Sequence, residues 1–481
     1  MSPLTNTQVT APDGATGKLC TWISNLSEDS APPEILERVK YLILDGIGCA
    51  LVGAHLPWSE KAAKAVLDME SLGNATVFGW QTKISPVSAA LINSSFIQGF
   101  ELDDWHLDSP WHSSSILLPA LLAAAEYLTS PLAGSGAAPV PGKSFILAYL
   151  VGLEVGPRVG NALRGRDMLT RGWHSGVVFG GPAAAAAVSK LMSLSSGATE
   201  DAVGIACTQG CGLMSAQFES EVKRMQHGFA ARNGLFAALL ARAGYVGIKQ
   251  VLERPYGGYL SMFSAGTTKT PPYLIEEVTA GLGTIWQADG VRPKAYAAMA
   301  GTHGSVDCMR ILQEQYPNLM ENLDSIQSIN LEMTEPQYHH GGWKARRPLT
   351  ATGAQMSCAF VAATQLIDRK VTPEEFTTEK LDRDAIWKLV SKITCVQNDS
   401  IECQAAAVLF TDGTSLTVKV DKPKGFDPAL SNEEIVEKWR TLFSGMSVLT
   451  LLRLFEVIHG KLNGELAADV GLAATRFLLY N

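Results

Sequence analysis

The stretch Ala406-Ala-Val-Leu-Phe410, Thr411-Asp-Gly-Thr414, Ser415-Leu-Thr-Val-Lys-Val420 decides the reading of the fold. Asp-Gly between two β-prone runs predicts a hairpin. Working outward, Ser325 to Glu332 is also strand-like, with Ile326, Ile329 and Leu331 as its apolar positions. Helical pieces around Val306 to Gln315 and Gly353 to Leu366 fall between these strands, which makes an α+β pattern. Upstream of the polar connector Thr267 to Pro272 the chain changes character and reads as helix after helix. Pro32-Pro33 precede Ile35, Leu36, Val39, Leu42, Ile43 and Ile47 at a period near 3.6. Ser85-Pro86 reads as a cap followed by Pro at the first helical position. Ile116 to Leu128, Ser144 to Leu153, Pro182 to Met192, Thr199 to Met214 and Phe229 to Ala243 read as helices too. Ser130 to Gly142 reads as an exposed loop. After Pro423 the pattern turns helical again, with Ser431 capping and Glu433 and Glu434 in the first turn. The fold expected is mainly α. A helical part (1–275) and a helical tail (423–481) that rejoins it enclose a smaller α+β insertion (276–422).

The chain has 481 residues, 46% hydrophobic and 18% charged. That is apolar enough for a sizeable core and argues against disorder. Lys and Arg number 39 against 47 Asp and Glu, a net charge of −8. No basic excess marks a nucleic-acid binder. The eight cysteines are sparse and show no zinc spacing, so buried thiols in a reducing compartment are expected. The N-terminal residues show no signal core and the C-terminal Leu-Leu-Tyr-Asn no address, so a cytoplasmic protein is expected. No stretch reads as a membrane span.

Four clusters carry candidate chemistry. Glu101-Leu-Asp-Asp-Trp-His106 is followed by Trp111-His-Ser-Ser-Ser115, so His112 stands before a Ser run able to cap a helix. Arg171-Gly-Trp-His-Ser-Gly176 puts His174 at another helix entrance. Lys223-Arg-Met-Gln-His227 precedes the small residues Gly228, Ala230 and Ala231, which imply tight packing around Lys223 and Arg224. Beyond the change of composition lie Arg292-Pro-Lys294, His303, His339-His340 and Arg346-Arg-Pro348. Each cluster also has a plain structural reading: solvated carboxylates, a core or capping histidine, a solvated cationic face. Phosphate loops, dinucleotide fingerprints, nucleophile elbows, H-E-x-x-H and EF-hand loops are missing. The Asp-Asp…His…His group has ligand-type residues, but its spacing fits no familiar metal site, and no metal is expected.

Several segments together resemble the 2-methylcitrate dehydratase (MmgE/PrpD) family, and within it the fungal cis-aconitate decarboxylases. They are Glu34 to Gly46, Glu101-Leu-Asp-Asp104, Gly172-Trp-His174, Gly204 to Gln209, Gly212 to Gln217, Val222-Lys-Arg224, Gln226 to Gly234 and Tyr256-Gly-Gly258. The resemblance implies a large helical domain with a smaller α+β lid, a homodimer and a site between the domains. It implies His112, His174, Lys223 and Lys294 as the catalytic set, and Asp104, His303 and Arg347 as substrate contacts. It implies a tricarboxylate substrate. Decarboxylation of cis-aconitate to itaconate and CO2 is the leading activity, and conjugation within the substrate makes an electron-sink cofactor unnecessary. Dehydration of 2-methylcitrate or another alkylcitrate passes through a related carbanion and stays open, as does decarboxylation of a 2-alkylated aconitate in secondary metabolism. The segments Trp105 to Trp111, Gln287 to Ala300 and Gln337 to Lys344 depart from the family pattern, and all three are expected at the pocket. A few cations, Lys223, Arg224, Lys294 and Arg347, are expected to converge on the polyanion while the acidic excess lies elsewhere.

Overall fold

The computed structural model describes residues 7–131 and 140–443. Most of the loop expected at Ser130 to Gly142, and the tail from 444 onward, lie outside the described residues.

Helices make up most of the first 275 residues: Ala15–Asn25, Pro33–Gly53, Pro57–Leu67, Pro86–Ile97, Ser114–Thr129, Gly142–Ala162, Ser175–Leu191, Ser196–Cys207 and Gln226–Arg242. Ser175–Leu191 is central, packed against the helices Gly142–Ala162, Gln226–Arg242, Ser196–Cys207 and Ser114–Thr129. Its alanines 183 to 187 are fully buried, and their small size lets the neighbouring axes approach closely. The sequence pattern starts this helix at Pro182. The structure starts it at Ser175 and carries Pro182 inside, because Val177 to Gly181 are apolar or small and buried on all sides. Tertiary packing here overrides the helix-starting bias of proline. The helix expected over Thr199 to Met214 ends at Cys207, and the one over Gly353 to Leu366 breaks at Ser357, whose side chain caps Cys358–Asp368 by accepting from the Phe360 amide.

Among the described residues eight strands form three sheets. β1 (Ala75–Thr76) pairs with β2 (Lys83–Ile84), and β3 (Asp104–His106) with β4 (Val291–Pro293). β5 (Ile326–Met333), β6 (Ile393–Gln397), β7 (Gln404–Phe410) and β8 (Ser415–Val420) form one sheet in the order β6-β5-β7-β8. β5 runs parallel to β6 and antiparallel to β7. The β7–β8 hairpin turns at Asp412-Gly413, where Gly413 adopts φ +87°, a left-handed conformation that favours glycine. β7 alternates buried and half-buried residues, and the helix His303–Gln315 packs on β7 and β8.

The helix Asn432–Leu442, with the capping box Ser431–Glu434, returns to the helical part and packs on Pro33–Gly53. A side chain at Gly48 would meet the Trp439 ring at 2.5 Å, so only glycine admits the indole. Trp439 Nε1 and Lys438 Nζ donate to Asp45 at 3.1 and 2.8 Å, and Lys438 also to the Leu102 carbonyl at 2.8 Å. This helix therefore braces the segment that carries the first acidic cluster. Among the described residues no single helix is long and apolar enough to cross a membrane. The cysteines are unpaired. Six are buried and Cys395 is half-buried, but Cys211 is exposed, against the expectation of burial.

Candidate active site

The site is built where β3 meets β4. Asp104 faces Pro293 in this pairing and Trp105 faces Arg292. Three residues of pairing thus carry Lys294, from beyond the helical part, to the acidic run that follows helix Pro86–Ile97. Glu101 turns the chain into this run with φ 60°, an uncommon conformation for a side-chain-bearing residue. The buried Glu101 carboxylate is held between two ammonium groups: Lys223 Nζ contacts Oε1, and Lys294 Nζ donates to Oε2 at 3.0 Å. Lys294 also donates to Asp103 Oδ1 at 3.2 Å, and Asp103 Oδ2 lies 3.0 Å from His112 Nδ1. Burial alone would raise the Asp103 pKa. Lys294 and His112 outweigh it and hold the carboxyl below its usual range. An ionised carboxylate only accepts, so His112 Nδ1 is the donor. Burial, with Lys294 and Arg224 as neighbours, lowers the Lys223 pKa.

Three imidazoles cluster beside these charges. The His227 ring centroid is 4.7 Å from that of His112 and 5.2 Å from that of His174. His227 Nδ1 meets Ser115 Oγ at 2.8 Å, and Nε2 lies 3.3 Å from Gln98 Nε2. His174 stands at the N-cap position of helix Ser175–Leu191 without a side-chain capping bond, and its buried Nδ1 has no hydrogen-bond partner among the described residues. Burial, then His112, pushes the His174 pKa down to about 3. His227 is driven down by burial and by the same neighbours. Both rings are therefore neutral at pH 7. Arg224, buried over the Trp58 ring, donates from Nη2 to Gln355 Oε1 at 2.7 Å. Gln355 Nε2 donates to the carbonyls of Phe100 and Ala297 at 2.7 and 2.8 Å. One amide thus ties three segments around the site.

His112, His174, Lys223 and Lys294 all line one cavity of about 420 Å³, together with Glu101, Trp105, Met214, Met299, His340 and Phe426. The structure does not bring the three expected substrate contacts there. Asp104 is fully buried and accepts from the Ser113 and Ser114 amides at 2.8 and 3.1 Å and from Ser113 Oγ at 2.5 Å, so it caps helix Ser114–Thr129. Burial, helped by Asp103, pushes its pKa up to about 6 despite these bonds. His303 is buried behind the wall, with Nε2 3.2 Å from the Ala298 carbonyl and its ring against Tyr296 and Phe426. Arg347 is held at the surface by Asp382 and by Asp384 at 2.6 Å. Of the two tryptophans in the divergent loop, Trp105 lines the cavity, while Trp111 is fully buried in the core against Gly156.

The sequence alone gives no role to Glu101, Asp103 or His227, although each lies in one of the candidate clusters. His340, named in the fourth cluster, likewise has no role from the sequence; its two ring nitrogens are buried in the cavity wall with no partner among the described residues. Asp103, His112 and His227 each place a potential ligand atom within 4.8 Å of the others. A cation there would compete with Lys294 for Asp103 and with Ser115 or Gln98 for the His227 nitrogens.

Residues 17–271 match the MmgE/PrpD N-terminal domain, and residues 296–451 match the C-terminal domain. The chain belongs to the MmgE/PrpD family. Within that family it is 48% identical to the cis-aconitate decarboxylase-like protein oryM of Aspergillus oryzae, over 97% of this chain and 98% of that one. It is 46% identical to a cis-aconitate decarboxylase of Aspergillus terreus, over 90% of each chain. A 2-methylcitrate dehydratase of Escherichia coli is more distant, at 22% over 81% of each.

Proposed function

We propose that this chain is a cofactor-independent decarboxylase of an aconitate-type tricarboxylate, converting cis-aconitate to itaconate and CO2. The observation that carries the proposal is the convergence of Lys223, Lys294, His112 and His174 on one cavity. The similarity to decarboxylases at 46–48% identity supports it. The bond to the carboxylate on the CH2 arm breaks, and CO2 leaves. Its electron pair forms the new terminal double bond, and the old double-bond pair moves to the carbon beside another carboxylate. That carbon takes up one proton. Lys223 and Lys294 stabilise the negative charge that develops on this carboxylate, from a buried site where such donors act strongly. They arrive neutralised by Glu101 and Asp103, so the substrate carboxylate takes over bonds that Glu101 makes in its absence. His112 is the general acid. Its Nδ1 is committed to Asp103, which leaves Nε2 for the proton transfer. His174, neutral in its buried setting, orients a carboxylate as an uncharged donor.

The α+β part (276–422) acts as a lid in this reading, supported by a cavity wall that draws residues from both sides of residue 275. A homodimer belongs to the same proposal, supported by the exposed Leu213, Phe218, Val222 and Met262. The cytoplasmic location rests on the sequence alone. Purified protein incubated with cis-aconitate should release CO2 and itaconate in equal amounts. Formation of a conjugated product from 2-methylcitrate without CO2, with cis-aconitate untouched, would instead mean a dehydratase.

A further inference from the structure

The cavity has two chemically distinct kinds of wall. One is the charged and imidazole group described above. The other is formed by Trp105, Leu169, Met214, Met299, Met356 and Phe426. The two adjoin, because the same short segments supply both: Trp105 follows Asp103 by two residues, and Met299 follows Lys294 by five. Trp105 and Phe426 pack against each other with ring centroids 4.7 Å apart. The exposed polar members, Arg166, Glu402, Asp421, Lys422 and Asp427, are surface residues and mark the mouth. Inside it the apolar side chains share the lining with Gln217, Thr334, Gln337 and His340.

Apart from the indole N–H of Trp105, these six side chains offer unsubstituted aconitate no strong hydrogen-bond donor. Every branch of that molecule ends in a carboxylate, and a carboxylate set against hydrocarbon loses hydration without compensation. Three of the six apolar residues are methionines, whose flexible thioethers mould to a chain of variable length. We infer that the preferred substrate is an aconitate bearing a linear alkyl substituent. The carboxylates sit at the lysine and histidine end, and the chain lies along Trp105, the methionines and Phe426. The inference rests on the decarboxylase reading and deepens it. The bond changes are those already given: one C–C bond breaks, CO2 leaves, the double bond shifts and one proton is taken up, with the alkyl group a spectator.

The test is a series of aconitates carrying hydrogen, methyl, butyl or hexyl on the carbon that receives the proton, with kcat/KM measured for each. Each methylene buried adds a factor of about four while the wall lasts, so kcat/KM should rise at least tenfold from cis-aconitate to the butyl compound. Phe426→Ala and Met299→Ala should each flatten that rise. A kcat/KM for cis-aconitate equal to or above those of the alkylated compounds overturns the inference and leaves the decarboxylase reading standing. No CO2 from any member of the series overturns both.

Discussion

Replacing Asp103 by Asn tests how the site is wired. The Asp103 carboxylate is fully buried and makes two contacts, to Lys294 at 3.2 Å and to His112 Nδ1 at 3.0 Å. Asn keeps the shape and removes the charge. Lys294 retains Glu101 at 3.0 Å, so it keeps one carboxylate partner and the fold should survive, although Glu101 then serves two ammonium groups. His112 loses its carboxylate acceptor on Nδ1, and the amide NH2 of Asn favours the opposite tautomer. A hydrogen bond to a charged group contributes about 1.5–3 kcal/mol, which corresponds to about 10- to 150-fold in rate. Loss of general-acid catalysis has an upper range of about 10⁴-fold. The expected result is a fall in kcat of about 10²-fold with KM changed less than about threefold. Initial rates of itaconate formation from cis-aconitate measure both, and a thermal melt reports folding. A variant that melts like the parent and keeps more than a third of its kcat would refute the role assigned to Asp103.

Other outcomes follow from the same geometry. His112→Ala and Lys223→Ala should each lower kcat by about 10²–10³, read in the same assay, while circular dichroism stays unchanged. Arg347→Ala should leave kcat/KM within about twofold, because its guanidinium is engaged by Asp382 and Asp384 away from the cavity; a loss above tenfold would restore the role that the family resemblance gave it. Stability should fall as pH drops from 6.5 towards 4. Burial lowers His106, His303 and His340 to about 4 and His174 to about 3, so the stability each contributes is present above about 6.5, the unfolded value, and is lost as pH falls. At pH 5 each contributes a loss of about 2 kcal/mol. Asp104, raised to about 6, works the other way and returns about 1 kcal/mol over the same range, so the histidines dominate. A melting temperature that is flat or rising between pH 7 and pH 5 would contradict this.

The hairpin at 406–420 and the helix-rich beginning were legible because periodicity and Asp-Gly turn chemistry are local signals. β3 and β4 were not. They are three residues each, carry no pattern, and pair across nearly 190 positions, yet they bring Lys294 to Glu101. β6 is not legible either, since its residues are all exposed or half-buried and lack the buried positions that mark β7. The site showed a similar division. Residue types at helix entrances singled out the clusters holding His112 and His174, and the cations before an apolar helix the one holding Lys223, but their catalytic roles came from the family resemblance. Which of two neighbouring carboxylates serves the site could not be read from Asp103-Asp104, because the two side chains diverge where the chain enters β3, one to His112 and the other to a helix N-terminus. The acidic excess is not kept away from the cations either. Glu101, Asp103 and Asp104 stand among them, and two of the three neutralise the lysines directly.

The central claim is an allylic decarboxylation with a proton delivered inside the cavity. It is tested most directly by running the reaction on cis-aconitate in D2O and reading the product by NMR. The account predicts one CO2 per itaconate and a single deuterium on the methylene carbon beside the carboxylate. Deuterium on the terminal alkene carbon, or turnover without CO2, would contradict it.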